Sequence, residues 1–491
     1  MRRLFMTALA VLMLAGCKMG PNYARPETAT GESWKLSPAT SESIANLPWW
    51  ELLKDPALQQ LIRTALKENQ DVRVAVAAVQ EFHAQVIISR FDLAPSLEYG
   101  ATGLYFRTQT NAVPIPTLGN APVLIPGLAG GSQRLSAESG LGMLKWELDL
   151  WGKIRRSIEA AQAQLLSRGE NQRLVVLELV SAVAQAYFDL RQLDLQVEIS
   201  KRTLASWHET VSISNIKLQH GVISKLDLDR FEAERANTAA QLADLERQVV
   251  QKENQLNLFL GRKPTDIVRG AALTEQVMPP SVPAGLPSDL LARRPDILQA
   301  EQELVAATAN IGVAQAQRFP SFSLTGALGV SSTQLSSVII GPTFTQAAIG
   351  TLSGPLLNAT ALGFQVKVAE ARAEQAAVRY KKTIMTAFRE VEDALIAVQK
   401  TREQREAQEI QVTSLRSAFT LAEMRYQGGR ASYLDLLTAQ RDLYNAELAL
   451  ARTRGAQLVS VVQLYKALGG GWSPESLDQT APAAVVGKGD E

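Results

Sequence analysis

The stretch "GVISKLDL", beginning at Gly221, returns as "GRASYLDL" beginning at Gly429. The two align without gaps as Gly-x-x-Ser-x-Leu-Asp-Leu, setting Ser224 against Ser432 and Asp227 against Asp435, 208 residues apart. The same offset carries on to pair Asn237 with Asn445, Leu242 with Leu450, Gln255 with Gln463 and Gly261 with Gly469. Upstream, "PSLEYGATGL" from Pro95 aligns with "PSFSLTGALG" from Pro320, and Asp71 with Asp296, both 225 residues apart, so copy one carries about 17 more residues between Gly103 and Ile158. A repeat of half the chain constrains the fold more than any local signal, because whatever the first half builds the second must build again.

Each copy reads as helix, two strands, helix, turn and helix. In copy one, apolar residues at three and four spacing run from about Leu61 to Leu93 until Pro95 breaks the pattern. Leu97, Tyr99, Ala101, Gly103 and Tyr105 then alternate on one face, and a second alternating run follows from Leu135 through Met143. A Pro- and Gly-rich loop, Asn111 to Gly131, joins them into a hairpin. From Trp151 to Leu260 there is no Pro, and the Gly221 turn is the one clear break: Gly221 closes one helix and Ser224 caps the next. Copy two repeats these events, with a helix from about Leu291, a hairpin over about 321–356 and the turn at Gly429.

Helix lengths add a constraint. Ile154 to His220 is about 67 residues, or ~100 Å, whereas Ser224 to Leu260 is about 37 residues, or ~55 Å. Stacking the helix that precedes the strands end to end with the shorter one matches the long one in both copies, so each half predicts a rod. Helix 225–260 carries two stripes, one through Leu228, Phe231, Leu242, Leu245, Val249, Leu256 and Phe259, the other through Ala233, Ala236, Ala240 and Ala243, which predicts a neighbour on each side. A compact helical bundle fits the periodicity equally well; the strands favour the rod. Four strands cannot close a membrane barrel, and an open sheet cannot sit in lipid. Three chains of four strands close a twelve-stranded one, and cyclic symmetry is the usual way for identical subunits to close.

Fifty Lys and Arg stand against 49 Asp and Glu, a net charge of +1, so no basic field awaits nucleic acid. Aromatics at 6% and long Ala-, Gln-, Glu-, Arg- and Leu-rich stretches give a helical bias. At the N-terminus, Arg2 and Arg3 precede a short apolar run, as in a secretory signal. It ends in Leu14-Ala15-Gly16-Cys17, which resembles a bacterial lipobox, with Cys17, the one cysteine, as the acylated first residue of the mature chain. Lys18 after it implies an outer-membrane address. The expected layout is a signal over 1–16, a lipidated strap over 17–48, repeat one over 49–263, a Pro-rich linker over 264–290, repeat two over 291–472 and a disordered tail over 473–491.

No catalytic or cofactor motif competes: His83, His208 and His220 are scattered, "HETVS" lacks the second His of a zinc-protease motif, and the Gly-Lys at Gly152 lacks phosphate-loop spacing. The stretches "PWWELLKDPALQQLIRTAL", "WELDLWGKIRRSIEAAQAQ", "LLARRPDILQAEQELVAATANIGVAQAQRFPSFSLTGALG", "YQGGRASYLDLLTAQRDLYNAELALAR" and "YKALGGGW" together resemble the TolC-like outer-membrane factors, in their lipid-anchored branch. The resemblance covers Cys17 to Trp472. It implies an α+β membrane protein: a homotrimer with a twelve-stranded transmembrane β-barrel continued by a long periplasmic α-helical barrel. The function implied is that of a passive exit duct for a tripartite efflux system, with a periplasmic adaptor and an inner-membrane pump of the RND type as partners. Type I protein secretion and, less well matched, a lipid-anchored periplasmic adaptor or enzyme are the alternatives.

The resemblance also assigns the turns. Gly221, Ser224, Gly429 and Ser432 fall at the periplasmic tips that meet the adaptor. Asp227 and Asp435 match positions at the constriction, which three chains would line with six carboxylates. Tyr426 matches a tyrosine that ties the tip shut. Arg430 stands where the family often has its arginine one residue later, here Ala431, and Thr438 replaces a second acid. The alternative for Asp227 and Asp435 is that each merely charges the first turn of its helix.

Overall fold

The computed structural model describes residues 18–27, 34, 54–107, 112–115, 123–126, 134–276, 287–332, 343–355 and 358–470. Its seven long helices, counted among these residues, are α1 Pro56–Glu68, α2 Gln70–Phe91, α3 Lys153–Gln219, α4 Lys225–Phe259, α5 Pro295–Ala316, α6 Ala359–Gln427 and α7 Tyr433–Ala467. The repeat is visible in their lengths: α2 and α5 are both 22 residues, α4 and α7 both 35, and α3 and α6 are 67 and 69. The described residues fall into two compact units, one within 1–24, 82–165 and 303–376, the other within 25–81, 166–302 and 377–491.

The first unit holds the strands β1 Ser96–Arg107, β4 Arg134–Leu148, β5 Ser321–Ser332 and β6 Thr343–Ser353 in one antiparallel sheet of order β1-β4-β5-β6. The middle pair, β4 with β5, is where the two repeats join. A short pair, β2 Ala112–Ile115 with β3 Val123–Pro126, sits inside what the sequence reads as a plain loop. Its Pro and Gly hid four-residue strands from any alternation test. The register aligns Leu97, Leu144, Gly326 and Ala348 across the sheet, and on the opposite face Ser96, Lys145, Thr325 and Ile349.

The second unit corrects the sequence reading in one place and adds to it in another. The helix expected from about Leu61 to Leu93 breaks at Asn69 into α1 and α2. Asp55 caps α1, accepting from the amides of Ala57 and Leu58, and its buried carboxylate also takes the Tyr187 hydroxyl and the Gln276 amide, each at 2.7 Å. Burial, reinforced by the bond to Asp55, pushes the Tyr187 phenol far up. The segment read as a Pro-rich linker over 264–290 also contributes to the core, through Ile267 and Leu273, which pack with Leu58 and Ile62 of α1 and Leu256 of α4.

The expected end-to-end stacking is present. Asn69 caps α2 by accepting from the amides of Asp71 and Val72, and its side-chain amide donates to the carbonyl of Phe259 at the end of α4, at 3.0 Å. In copy two Arg294 precedes α5 and donates to the carbonyl of Ala467 at the end of α7, at 2.9 Å. Asn69 and Arg294 are 225 residues apart, Phe259 and Ala467 208, so one junction is built twice. Gly261 and Gly469 close the shorter helices at φ 66° and 70°; a Cβ at Gly261 would stand 2.3 Å from the Glu68 carbonyl oxygen.

Candidate functional site

The two repeated turns share one geometry. Gly221 and Gly429 both have φ of 70°. The amides of Gly221 and Val222 bond to the carbonyls of Leu218 and Lys217, and those of Gly429 and Arg430 to the carbonyls of Tyr426 and Arg425. This is the bonding of a left-handed glycine closing a helix. Two residues beyond each closing pair the chain restarts. Ser224 and Ser432 cap α4 and α7, each hydroxyl accepting from the amide three residues on, while Oδ2 of Asp227 and Asp435 accepts from the serine amide and hydroxyl. The carboxylates therefore complete reciprocal capping boxes. The Ser432 hydroxyl and amide hold the Asp435 carboxyl below its ordinary range.

Tyr426 goes elsewhere than to these acids. Its hydroxyl is buried beside Ser214 on α3, and neither oxygen meets a hydrogen bond of normal geometry among the described residues. Burial pushes the phenol up, and the nearby charge of Asp227 adds to this. Lys217 Nζ stands 4.1 Å over the ring, so Tyr426 joins the ends of the two long helices α3 and α6. Arg430 is exposed and, among the described residues, enters no ion pair; its contribution to the turn is its backbone amide. Behind the turns Trp207, Val211, Leu228, Phe231 and Leu437 form a small core, and Arg230 donates to the Tyr433 hydroxyl.

Sequence reasoning missed Ser214, Lys217 and a charge clamp farther along: the Glu447 carboxylate, nearly buried, accepts from Arg202 of α3 at 2.5 Å and Arg416 of α6 at 2.6 Å. The signal was there, a lone acid inside the apolar run "NAELALA".

The sheet supplies a second functional feature. On one face the described side chains are apolar or uncharged: Leu97, Tyr99, Leu144, Phe322, Leu328 and Leu352. Of these, Tyr99 is 96% exposed and Leu97 76%. The charged side chains Glu98, Lys145 and Glu147 stand on the other face, with Glu98 and Lys145 paired at 2.7 Å. At the ends of the strands nearest the helices, Trp151 stacks on Phe319 and bonds to the Pro320 carbonyl, and Trp146 bonds to that of Leu93. Apolar-out, polar-in alternation bordered by aromatic residues is the pattern of a membrane barrel wall. Among the described residues no helix is long and apolar enough to cross a membrane.

Cys17 lies outside the described residues, but its neighbours are seated. Lys18 pairs with Glu159 at 2.5 Å, and the Met19 amide bonds to the Trp151 carbonyl. Arg156, 1% exposed, gathers the carbonyls of Met19 and Gly20 and the side chain of Asn22. Gly20, at φ 89°, lies on Gly312, where a Cβ would approach to 2.5 Å. The loop tip near Gly119 and the tail 473–491 also lie outside the described residues.

Comparison with known proteins places this geometry in context. The model of the family described as outer membrane efflux protein matches residues 61–262 and 286–470. The chain is similar to the toluene efflux pump outer membrane protein TtgC of Pseudomonas putida, at 35% identity over 491 residues and 99% of both chains. It is similar also to the cation efflux system protein CusC of Escherichia coli, at 32% identity over 466 residues, 94% of this chain and 97% of the relative. Among solved structures, the open state of the Neisseria gonorrhoeae MtrE outer membrane channel matches with a TM-score of 0.82 and 30% identity, over 93% of this chain and 98% of that one.

Proposed function

The chain belongs to the outer membrane efflux protein family, and on that premise we propose that three copies form the outer-membrane exit duct of a tripartite efflux system. The observation that carries this is the sheet: one chain contributes four strands with an apolar and a polar face and two open edges, β1 and β6. Such edges in lipid leave backbone groups unpaired, so the sheet is complete only when closed by further copies. Twelve strands then put Glu98, Lys145 and Glu147 on the lumen. The duct conducts small molecules passively; its relatives' printed names speak of toluene, antibiotics and cations. Energy and substrate choice come from an inner-membrane pump of the RND type, through a periplasmic adaptor that meets the Gly221 and Gly429 turns.

Within this reading the turns are the gate. Asp227 and Asp435 of three chains bring six carboxylates to one end, while Tyr426 holds the tips of α3 and α6 together. That each carboxylate also completes a capping box fits both roles, because the box fixes where the charge points. The strap seat supports lipidation of Cys17, since it holds Lys18 and Met19 beside Trp151 at the aromatic border of the sheet. An unheated detergent extract run beside a heated one tests the duct: a heat-labile trimer that conducts in bilayers is expected, and a non-conducting monomer would refute it.

A further inference from the structure

Beside the Glu447 clamp the second unit holds a cavity of about 380 Å³, walled by α3, α6, α7 and residues 272–274. Its wall is rich in arginine. Arg191 and Arg202 come from α3, Arg416 from α6 and Arg454 from α7, against Asp194, Glu198 and Glu447. Two of these four guanidinium groups are committed to the fold. Arg191 donates to Asp194 at 2.6 Å and to the Ala271 carbonyl at 3.1 Å, and Arg454 donates to Glu409 at 2.9 Å. Arg202 and Arg416 are different. Among the described residues each gives only Nη2, to one oxygen of Glu447, and their side chains are 57% and 61% exposed. Each therefore keeps Nε and Nη1 for another acceptor.

We propose that this cavity binds a small multivalent oxyanion, phosphate or carboxylate in chemistry, on the free donors of Arg202 and Arg416. A guanidinium fork can take two oxygens of such a group at once. Here two forks on different helices are already gathered about one nearly buried carboxylate, so part of the side-chain ordering that binding normally costs is in place before the ligand arrives. Glu447 is not free for a cation, because each of its oxygens already accepts from a guanidinium. Nor, among the described residues, does any group of three His, Cys, Asp or Glu stand ready to hold a metal ion. One carboxylate balances only one of the two arginines it orients, and the whole wall carries four positive side chains against three negative. The remaining acid, Glu198, lies one helical turn before Arg202, is exposed and enters no ion pair among the described residues. It works against an anion and sets how tightly one is held. A bound oxyanion ties α3 to α6 across α7, and so joins the long helices of the two repeats. The site is complete within one chain, so it goes beyond the duct reading and does not depend on it.

Calorimetric titration of the purified full-length protein in detergent with pyrophosphate tests this, with chloride at matched ionic strength as the reference. Pyrophosphate should bind once per chain, raise the melting temperature and bind less well as salt rises. Citrate should compete with it, since the forks read charge and oxygen spacing. Arg202→Gln with Arg416→Gln should weaken binding at least about tenfold, because each arginine supplies charge-assisted bonds. Arg389→Gln with Arg402→Gln removes the same number of charges from exposed pairs elsewhere on α6, and should leave affinity within about twofold. Glu198→Gln should tighten binding, a change that a merely structural role for the arginines would not produce. If the two double variants lose affinity alike, or Glu198→Gln weakens binding, the anion is held by the overall charge and the cavity is no site. A protein that melts cooperatively yet shows no binding at millimolar pyrophosphate overturns the proposal as well, and it does so whether or not that protein forms a conducting trimer.

Discussion

Asp227 and Asp435 each complete a capping box and, in the proposed gate, each carry a charge, and substitution can separate the two. Oδ2 of each accepts from the amide and hydroxyl of its capping serine, at 3.1 and 2.8 Å for Ser224 and 3.0 and 2.8 Å for Ser432. An asparagine side-chain oxygen can accept the same bonds, so Asp227→Asn with Asp435→Asn keeps both helix starts and removes two charges per chain, six per trimer. Ser224→Ala with Ser432→Ala does the reverse: the charges stay while each helix loses its cap, at about 1 kcal/mol per cap. In planar bilayers under a salt gradient, the asparagine pair should lose most of its cation preference and its block by multivalent cations, while melting close to wild type. The alanine pair should keep the cation preference and melt earlier. Acid should act like the asparagine pair, and the sign follows from Asp435. Its carboxyl is held below the ordinary value by Ser432, so the stability that its capping bonds add is fully present above the ordinary carboxylate value, about 3.9, and is lost as pH falls through the lowered one. If the asparagine pair selects and binds cations like wild type while melting early, the acids are caps and the gate lies elsewhere.

Tyr426→Phe keeps the ring under Lys217 and removes a buried hydroxyl that stands beside Ser214 without a hydrogen bond of normal geometry among the described residues. Single-channel conductance should rise if that hydroxyl closes the tips, and the melting temperature should barely move. Arg156→Ala strips three polar contacts from the strap and leaves Met19, Gly20 and Asn22 without their donor. Limited proteolysis of the folded trimer should then cut within residues 18–27 while the helical core stays protected. Glu447→Gln leaves Arg202 and Arg416 without their carboxylate. Because both arginines are more than half exposed, the loss should be modest, about 1 kcal/mol, and smaller in high salt. Cys17→Ser behind an ordinary cleavable signal should still give outer-membrane trimers; a wholly soluble product would refute the barrel.

Much of this fold was legible because it is periodic and repeated. The long helix expected over Ile154 to His220 is Lys153–Gln219, and both turns fall at the expected glycines. What the sequence hid follows from single polar residues whose partners are far away in the chain. Asn69 breaks a helix because its side chain serves two helix ends 190 residues apart, and nothing in "LKENQDV" announces Phe259. Ile267 and Leu273 enter the core from a segment whose prolines suggest a loose linker. Their apolar spacing is too short for a helical or strand period to register. At the tip, the position of Tyr426 was legible but its surroundings were not, since Ser214 and Lys217 belong to the other helical hairpin and share no local pattern with it.

The duplication also explains why the chain is not symmetric where it could be. Here the end-to-end junctions use different side chains, Asn69 in one copy and Arg294 in the other. The arginine adds ion pairs to Asp296 and Glu390 that the asparagine cannot make. The same direction of change runs along the helices: copy two receives Tyr444, Leu448 and Glu447 where copy one keeps alanines. In both places the reinforced contacts lie within a single chain. Folding one chain must hold its two halves together before any partner is met, so contacts within the chain need strength at concentrations where contacts between chains contribute nothing.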